Sequence, residues 1–295
     1  MGLDINAVQF LIAARKSGVE FGEVITLGRQ DLNVYPAKMK ALLESHGFSG
    51  ELFAPGAADT GFAEPVFKSL GAKKVHALDF SDFEGAEFVH DLNQPLPEQL
   101  QQRFDMVYDG GTLEHVFHFP QALKNCMEMV RPGGRLMLHT IANNWMGHGF
   151  YQFSPELFWQ ALNAENGYTL ERMIAHIVGP YGRWFEVSNP EQIRARVEAI
   201  TMAPLHLIVQ AQRTAVVPVF AKTPQQSDYN QRWEDPAAAS AAVGVEQKAW
   251  SAERPSLAKA LPGVARLFHV AKMGFKTYYN LSIRNRRNFR PVKKP

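Results

Sequence analysis

The sequence predicts an α/β protein in which helices cover both faces of a doubly wound, mostly parallel sheet. Segments with apolar residues at helical spacing alternate along the chain with short runs rich in β-branched residues. Turns that contain glycine or proline separate these segments. Alternating strands and helices require crossover connections, which make consecutive strands parallel. The 295 residues, of which 46% are hydrophobic, are enough to build a sizeable core.

The elements follow from local patterns. Helices are predicted where apolar spacing is three to four, and the last of them, Ser154–Asn166, begins with an N-cap serine followed by proline. Strands are predicted where apolar and β-branched residues run together. In chain order we expect a helix over 6–18, a strand over 23–30, helices over 35–47 and 63–72, strands over 73–81, 86–93 and 104–111, a helix over 119–130, a strand over 135–142, the helix over 154–166, and strands over 168–178 and 205–215.

The chain divides into three predicted parts. Residues 1–217 form the α/β domain, residues 218–253 a weakly ordered connector, and residues 254–295 a basic tail. The tail holds 11 Lys and Arg and no acidic residue, which leaves 20 basic and 29 acidic residues in the rest. Its segment Gly263–Tyr279 has the pattern of a basic amphipathic helix. Two alternatives are equally open: the tail lies on an anionic membrane surface, or its apolar face docks on protein.

The expected location is the cytoplasm, with a peripheral position at the inner face of the membrane if the tail binds lipid. The single cysteine, Cys126, excludes an internal disulfide, and it falls on the apolar face of its predicted helix. No secretory signal and no apolar run of membrane-spanning length is readable. The oligomeric state does not follow from the sequence.

Polar residues stand where the predicted strands end. In an open parallel sheet, ligands bind outside the carboxyl ends of the strands. The strand ends here are Gly28–Gln30, Asp79, Asp91–Asn93, Asp109–Gly111 and Ala142–Asn144. An acidic residue at such an edge can hold the paired hydroxyls of a ribose, so the pattern predicts a nucleoside-type cofactor.

The segment Val75–Leu138 resembles the class I S-adenosylmethionine-dependent methyltransferases. In that family an acid after the second strand holds the ribose, which the resemblance assigns to Asp79. The pair after the third strand, Asp91 and Leu92, would flank the adenine. Asp109 and Gly110, after the fourth strand, would lie beside the methionine part. A following "LEH" (Leu113–His115) and a "PGG" (Pro132–Gly134) also match the family. The resemblance therefore implies S-adenosylmethionine as the cofactor.

The first strand end departs from the family. A G-x-G-x-G loop is usual there, whereas "TLGRQDL" supplies only Gly28. One interpretation is a variant cofactor pocket formed by Gly28, Arg29 and Gln30, in which Arg29 pairs with the methionine carboxylate. The other is a degenerate site, in which case the protein acts as a scaffold or regulatory binding module.

The aromatic, glycine-containing stretch Asn143–Trp159 is predicted to form the acceptor side of the site. It follows the fifth main strand and therefore starts at the ligand edge. Asn143, Asn144 and Trp145 are the predicted substrate-binding residues. His148, His115 and Tyr151 are the predicted catalytic residues, with a histidine as general base. The alternative is an aromatic plug that packs under the next helix.

The sequence thus predicts an S-adenosylmethionine-dependent methyltransferase that acts on an oxygen or nitrogen of a polar acceptor, a carbohydrate or glycolipid being the suggested class. Glu114, His115 and His118 have only weak metal-ligand spacing, so no metal is expected. Nucleic acid is not an expected partner because the body is acidic. An oxidoreductase would need the phosphate-binding glycine motif that is absent.

Overall fold

The computed structural model describes residues 2–57, 61–179, 182–234, 270–272, 274–275, 278–279 and 281–295. Its helices are α1 (Ile5–Lys16), α2 (Pro36–Ser45), α3 (Glu64–Ser69), α4 (Phe119–Met129), α5 (Pro155–Ala161), α6 (Pro190–Ile193) and α7 (Ser227–Glu234). Its strands are β1 (Gly2–Leu3), β2 (Gly22–Leu27), β3 (Asp31–Leu32), β4 (Ala72–Asp79), β5 (Phe88–Val89), β6 (Phe104–Asp109), β7 (Val130–Asn143), β8 (Tyr168–Ile177), β9 (Trp184–Val187), β10 (Leu205–Arg213) and β11 (Phe289–Val292).

A nine-stranded sheet runs through the molecule in the order β11-β9-β8-β10-β7-β6-β2-β4-β5. The strands β5, β4, β2, β6 and β7 pair in parallel, and chain order reverses between β2 and β6, as in doubly wound folds. The remaining pairs, from β7 through β10, β8 and β9 to β11, are antiparallel. A separate two-stranded parallel pair joins β1 to β3.

Helices cover both faces of the sheet, because side chains of the central strands alternate between two cores. On β7, for example, Leu136 and Leu138 join one core and Met137 joins the other. Residues of α4 and α5 belong to the first core, and residues of α1, α2 and α3 to the second. The predicted α/β class with a doubly wound, Rossmann-like sheet is confirmed. The antiparallel pairs beyond β7 were not predicted.

Capping determines where two helices begin and end. The Oδ1 atom of Asp4 accepts a hydrogen bond from the Ala7 N–H (2.8 Å) and starts α1. Ser154 caps α5 as predicted, accepting from the Glu156 N–H (3.3 Å). The predicted helix Ser154–Asn166 is nevertheless shorter, because Asn163 caps a separate 3₁₀ turn over Ala164–Asn166.

The end of the predicted tail belongs to the sheet. Strand β11 pairs antiparallel with β9, and Phe289 on it is 1% exposed. Residues 289–292, which were assigned to the basic tail after the α/β domain, are therefore an edge strand of the domain's own sheet. The described residues of 270–279 are helical, and Val270, Phe275 and Tyr278 are exposed. Most of the predicted amphipathic segment, and residues 235–253 of the predicted connector, lie outside the described residues.

None of the helices in the described part of the chain combines the length and the apolar character that crossing a bilayer requires.

Candidate active site

The carboxyl ends of β2, β4 and β6 meet at the point where strand order reverses. Gly28 follows β2 with a φ of +69°, a conformation that favours glycine. A Cβ placed on Gly28 would lie 3.4 Å from Thr112 Oγ1 and 3.7 Å from Asp79 Oδ2. Thr112 in turn donates its hydroxyl hydrogen to the Leu27 carbonyl (2.7 Å). The predicted ribose-binding Asp79 therefore stands beside the single glycine of the first loop.

Gln30, which was predicted to form the variant pocket with Gly28 and Arg29, occupies the crevice between Gly28 and Gly110. Its side chain is 3% exposed, and its Nε2 atom donates to the Leu27 carbonyl (2.5 Å). A Cβ on Gly110 would lie only 2.0 Å from Gln30 Oε1. Because Gly110 has no side chain, Gln30 can pack directly against it. This role differs from the predicted one, in which Gly110 contacts the cofactor. The Oε1 atom is buried and has no hydrogen-bond partner among the described residues.

Asp109 and Glu114 form a buried acidic pair after β6. Asp109 is 0% exposed and accepts from the Thr112 N–H (2.8 Å), while its Oδ2 lacks a partner in the described structure. Burial raises the pKa of Asp109 well above its usual range, and Glu114 adds to this. Burial also raises the pKa of Glu114 to about 7. The full enclosure of Asp109 does not support its predicted contact with the cofactor.

The other predicted cofactor residues have protein partners. Asp91 accepts from the backbone and side-chain N–H groups of Asn93 (2.9 and 2.7 Å), and the backbone bond is the main cause of its lowered pKa. Leu92 is buried in the core. The Arg29 guanidinium donates to Glu64 (2.6 Å) and lies 3.8 Å from the centre of the Phe62 ring. Arg29 is therefore engaged within the protein, and its pairing with a methionine carboxylate stays a prediction that this geometry does not support.

Backbone hydrogen bonds hold the loop after β7 against the backbone of Glu114. The N–H groups of Phe150 and Tyr151 donate to the Glu114 carbonyl (2.7 and 3.2 Å). Gly149 has a φ of +74°, and a Cβ there would lie 2.7 Å from the same carbonyl. This close approach brings the loop residue His148 to the predicted catalytic His115, with ring centres 5.0 Å apart.

His148, His115 and Glu114 form one constellation at this edge. One ligand atom of each lies within 4.8 Å of the others. His115 is exposed, and its pKa is lowered first by partial burial and then by His148. The predicted weak metal set contained His118, which is not part of this group. Histidine next to a buried carboxyl is an arrangement that can accept and relay a proton.

Three other predicted residues of the loop make structural contacts. Asn143 Nδ2 donates to Thr201 Oγ1 (3.2 Å), and Asn144, with a φ of +61°, donates to the Thr201 and Ala203 carbonyls. These bonds hold the segment before β10, so the predicted substrate contacts of both asparagines are not supported. The Tyr151 hydroxyl donates to the Phe117 carbonyl (2.7 Å).

Trp145 lies between two groups of histidines, the second of which is the pair His115 and His148 described above. Its ring stacks on His206 (4.9 Å between centres, 25° between planes) and contacts His148 (5.3 Å). The first group comprises His139, His176 and His206, whose rings lie within 5.3 Å of one another. Burial lowers the pKa of all three. Sequence reasoning missed this group; its one signal was a histidine inside each of three apolar strands.

A cleft of about 400 Å³ opens at the opposite edge of the sheet, where Gly22, Lys73, Asp105 and Arg131 line it. It lies at the amino ends of the parallel strands and contains none of the predicted site residues. Since ligands of doubly wound sheets bind at the carboxyl edge, this cleft is not the candidate site.

The sheet order and the polar carboxyl edge define a doubly wound α/β protein with a ligand edge at its reversal of strand order. No protein-family profile matches the chain. The chain is similar to the ubiquinone biosynthesis O-methyltransferase of Dechloromonas aromatica, with 27% identity over 128 residues. This match covers 43% of the chain and 53% of the relative, so the chain spans about half the length of the curated relative that it matches. The predicted resemblance to methyltransferases is thereby confirmed.

Solved structures are similar at low sequence identity. One is a Burkholderia thailandensis 1,6-didemethyltoxoflavin N1-methyltransferase with bound S-adenosylhomocysteine, at 14% identity and a TM-score of 0.38, covering 72% of this chain and 80% of that one. Another is the branched-chain polyamine synthase of Thermus thermophilus with 5'-methylthioadenosine, at 15% identity and a TM-score of 0.37, covering 75% and 61%.

Proposed function

We propose that this protein is an S-adenosylmethionine-dependent methyltransferase. The observation that carries the proposal is the meeting of Gly28, Asp79 and Thr112 at the reversal of strand order, where doubly wound folds bind nucleotides. There the Asp79 carboxylate would hold the ribose of the cofactor. The methyltransferase relative supports the same reaction class.

The bound cofactor supplies an electrophilic methyl group for a nucleophilic oxygen or nitrogen. An acceptor hydroxyl or amine would lose a proton as it takes this methyl group. His148 or His115 takes that proton as general base, since histidine accepts a proton near neutral pH. The Glu114 carboxyl, one ligand atom of which lies within 4.8 Å of theirs, stabilises the resulting imidazolium. The aromatic rings of the loop exclude water from the reacting atoms.

The acceptor class is a polar molecule, with a carbohydrate or glycolipid headgroup as the specific suggestion. Exposed aromatic side chains support it, since Phe117 and Phe150 contact each other (5.7 Å) beside the catalytic histidines and remain 70% and 65% exposed. Aromatic faces of this kind stack on sugar rings. Mass-spectrometric detection of methylated product among sugars and glycolipids offered together with the cofactor tests this suggestion.

Calorimetric titration with S-adenosylmethionine and S-adenosylhomocysteine tests the cofactor assignment. Asp79→Ala removes a charge-assisted contact worth roughly 1.5–3 kcal/mol, so the affinity should fall about 10- to 100-fold. Asp82→Ala, an exposed acid three residues further along, is the control and should bind as wild type. Absence of binding to wild type would favour the alternative, a scaffold with a degenerate pocket.

A second test measures turnover, and it distinguishes loss of the general base from loss of the cofactor pocket. His148→Ala should lower turnover far more than cofactor affinity, whereas the exposed His118→Ala should change neither. If His148→Ala lowers thermal stability and leaves specific activity intact, the loop is a packing plug.

We further propose that the basic end of the chain attracts an anionic membrane surface. Arg284, Arg286 and Lys293 are exposed, and each basic group near such a surface adds about 1 kcal/mol of attraction. Because deletion would also remove β11, the test is Arg284→Gln with Arg286→Gln in co-sedimentation with phosphatidylserine vesicles. Lys73→Gln with Lys74→Gln, also exposed, is the matched control. Binding that is insensitive to salt or to the arginine changes contradicts the proposal.

A further inference from the structure

Three histidines on neighbouring strands point their ring nitrogens at one another. His139 lies on β7, His206 on β10 and His176 on β8, and His206 stands directly opposite His176 in the strand register. His139 Nε2 is 3.1 Å from His176 Nε2 and 3.0 Å from His206 Nδ1. We propose that these three residues bind a divalent transition-metal ion of the zinc class. This proposal does not depend on the methyltransferase assignment.

The spacing of the nitrogens fits coordination of one ion. Zinc–nitrogen bonds of about 2.0–2.1 Å place two ligand nitrogens roughly 2.9–3.4 Å apart for angles between a right angle and the tetrahedral value. Both measured distances, 3.0 and 3.1 Å, fall in this interval. Three imidazoles are also a ligand set typical of zinc, and such a set leaves one position for water or another ligand.

Hydrogen bonding among the rings alone leaves the cluster unsatisfied. His176 Nδ1 donates to the Ile177 carbonyl (3.3 Å), so the Nε2 atom of this neutral ring carries a lone pair. His139 Nε2 is either a donor with one hydrogen or an acceptor, so at most one of its two facing pairs can form a hydrogen bond. In addition, His206 Nε2 is buried without a partner among the described residues. A cation accepts all three facing lone pairs at once.

The surroundings suit a bound cation. The bond from His176 Nδ1 to a backbone carbonyl is the outer contact that typically orients a metal-binding histidine. Asp4 interacts electrostatically with His139 and His176, and its carboxylate offsets positive charge. Lys294, which donates a hydrogen bond to Asn6, lies in the same region, and its positive charge acts against the effect of the Asp4 carboxylate. His139 and His176 are 5% and 0% exposed, so the site is shielded from competing water.

Metal titration of the untagged, chelator-stripped full-length chain tests the proposal. Zn²⁺ is expected to bind at one equivalent by calorimetry, and Co²⁺ is expected to give ligand-field absorption bands. His206→Ala should weaken Zn²⁺ binding by more than about 100-fold, since loss of an outer contact alone costs 10- to 100-fold. His118→Ala, an exposed histidine, is the control and should bind as wild type.

Two further measurements distinguish the proposed site from the effects of a misfolded variant and from metal binding at the neighbouring group of Glu114, His115 and His148. X-ray absorption of the wild-type zinc complex should report three imidazole nitrogens, which requires no variant. His148→Ala removes the neighbouring group with Glu114 and His115, and it should leave Zn²⁺ affinity unchanged. Loss of binding in His148→Ala but not in His206→Ala would overturn the assignment. So would the absence of stoichiometric binding to wild type.

Discussion

Gly110 has no room for a side chain, because Gln30 fills the space beside it. The Cβ of an alanine at 110 would meet Gln30 Oε1 at 2.0 Å and Tyr108 Cε1 at 3.0 Å. The glutamine, at 3% exposure, cannot simply turn outward. A clash within a closely packed site costs roughly 1–3 kcal/mol, which is the expected destabilisation.

A double-mutant cycle in urea measures whether this packing is the cause. Gly110→Ala should be strongly destabilising in the wild-type background and much less so in the Gln30→Ala background, with a coupling of about 1 kcal/mol or more. Additive effects of the two substitutions would show that the glutamine is not what excludes a side chain at position 110.

Glu114 gives a pH-dependent contribution to stability. Its pKa in the folded protein, about 7, exceeds the ordinary value of 4.5 because the carboxyl is buried. Between these values the folded state binds more protons than the unfolded state, so this contribution is lost as pH rises from about 4.5 to 7. Glu114→Gln keeps the shape and removes the titration. Relative to wild type, the variant should therefore gain stability from pH 5 to pH 8, by up to about 3 kcal/mol.

Chemical denaturation of both proteins at several pH values provides the measurement. The difference between variant and wild type is the quantity to compare, because the buried histidines, whose pKa values are lowered, act in the opposite direction. A difference that is constant between pH 5 and pH 8 would mean that Glu114 titrates normally.

At the scale of elements, β11 shows that the end of the chain contributes to the core. Phe289→Ala on this strand should cost about 3–5 kcal/mol, because a fully buried phenylalanine is lost. Phe275→Ala, in the same basic region but 73% exposed, should change stability by less than about 0.5 kcal/mol. Urea unfolding curves of the two variants measure these changes in the free energy of unfolding. If both variants lose the same small amount, β11 does not belong to the cooperatively folding part of the sheet.

Helices α1 to α5 and the strands β2, β4 to β8 and β10 could be predicted because their periodicity is local, whereas the short strands β1, β3 and β9 were not predicted. Strand β11 could not be predicted either: "FRPV" contains a proline and is read as a strand only when β9 lies beside it. Asp79 was placed at the ligand edge from its position after an apolar run. The roles of Asn143 and Asn144 were not predictable, since their partners lie near residue 201 and sequence spacing does not reveal that contact.

Considered as a whole molecule, the sheet separates two edges of different character. The carboxyl edge carries Asp79, the pair His115 and His148, and the three-histidine cluster, whereas the amino edge carries the cleft of about 400 Å³. At the end of the sheet, the two chain termini meet, because Asn6 accepts hydrogen bonds from both Trp184 Nε1 (3.1 Å) and Lys294 Nζ (2.7 Å). Ligand binding at the carboxyl edge should therefore be linked to unfolding of the whole sheet.

Thermal unfolding with S-adenosylhomocysteine tests this linkage. A ligand that binds only the folded chain at about 100 times its Kd stabilises it by roughly 2.7 kcal/mol. For a domain of this size each kcal/mol raises Tm by about 2–4 °C, so a shift of roughly 5–10 °C is expected. At the same ligand concentration, a 10- to 100-fold weaker Asp79→Ala should gain only about 0.4–1.4 kcal/mol, so its shift should fall to about half the wild-type value or less, whereas Asp82→Ala should keep the full shift. An equal shift in all three proteins would place the ligand away from Asp79, and the carboxyl edge would then lose its assignment as the cofactor site.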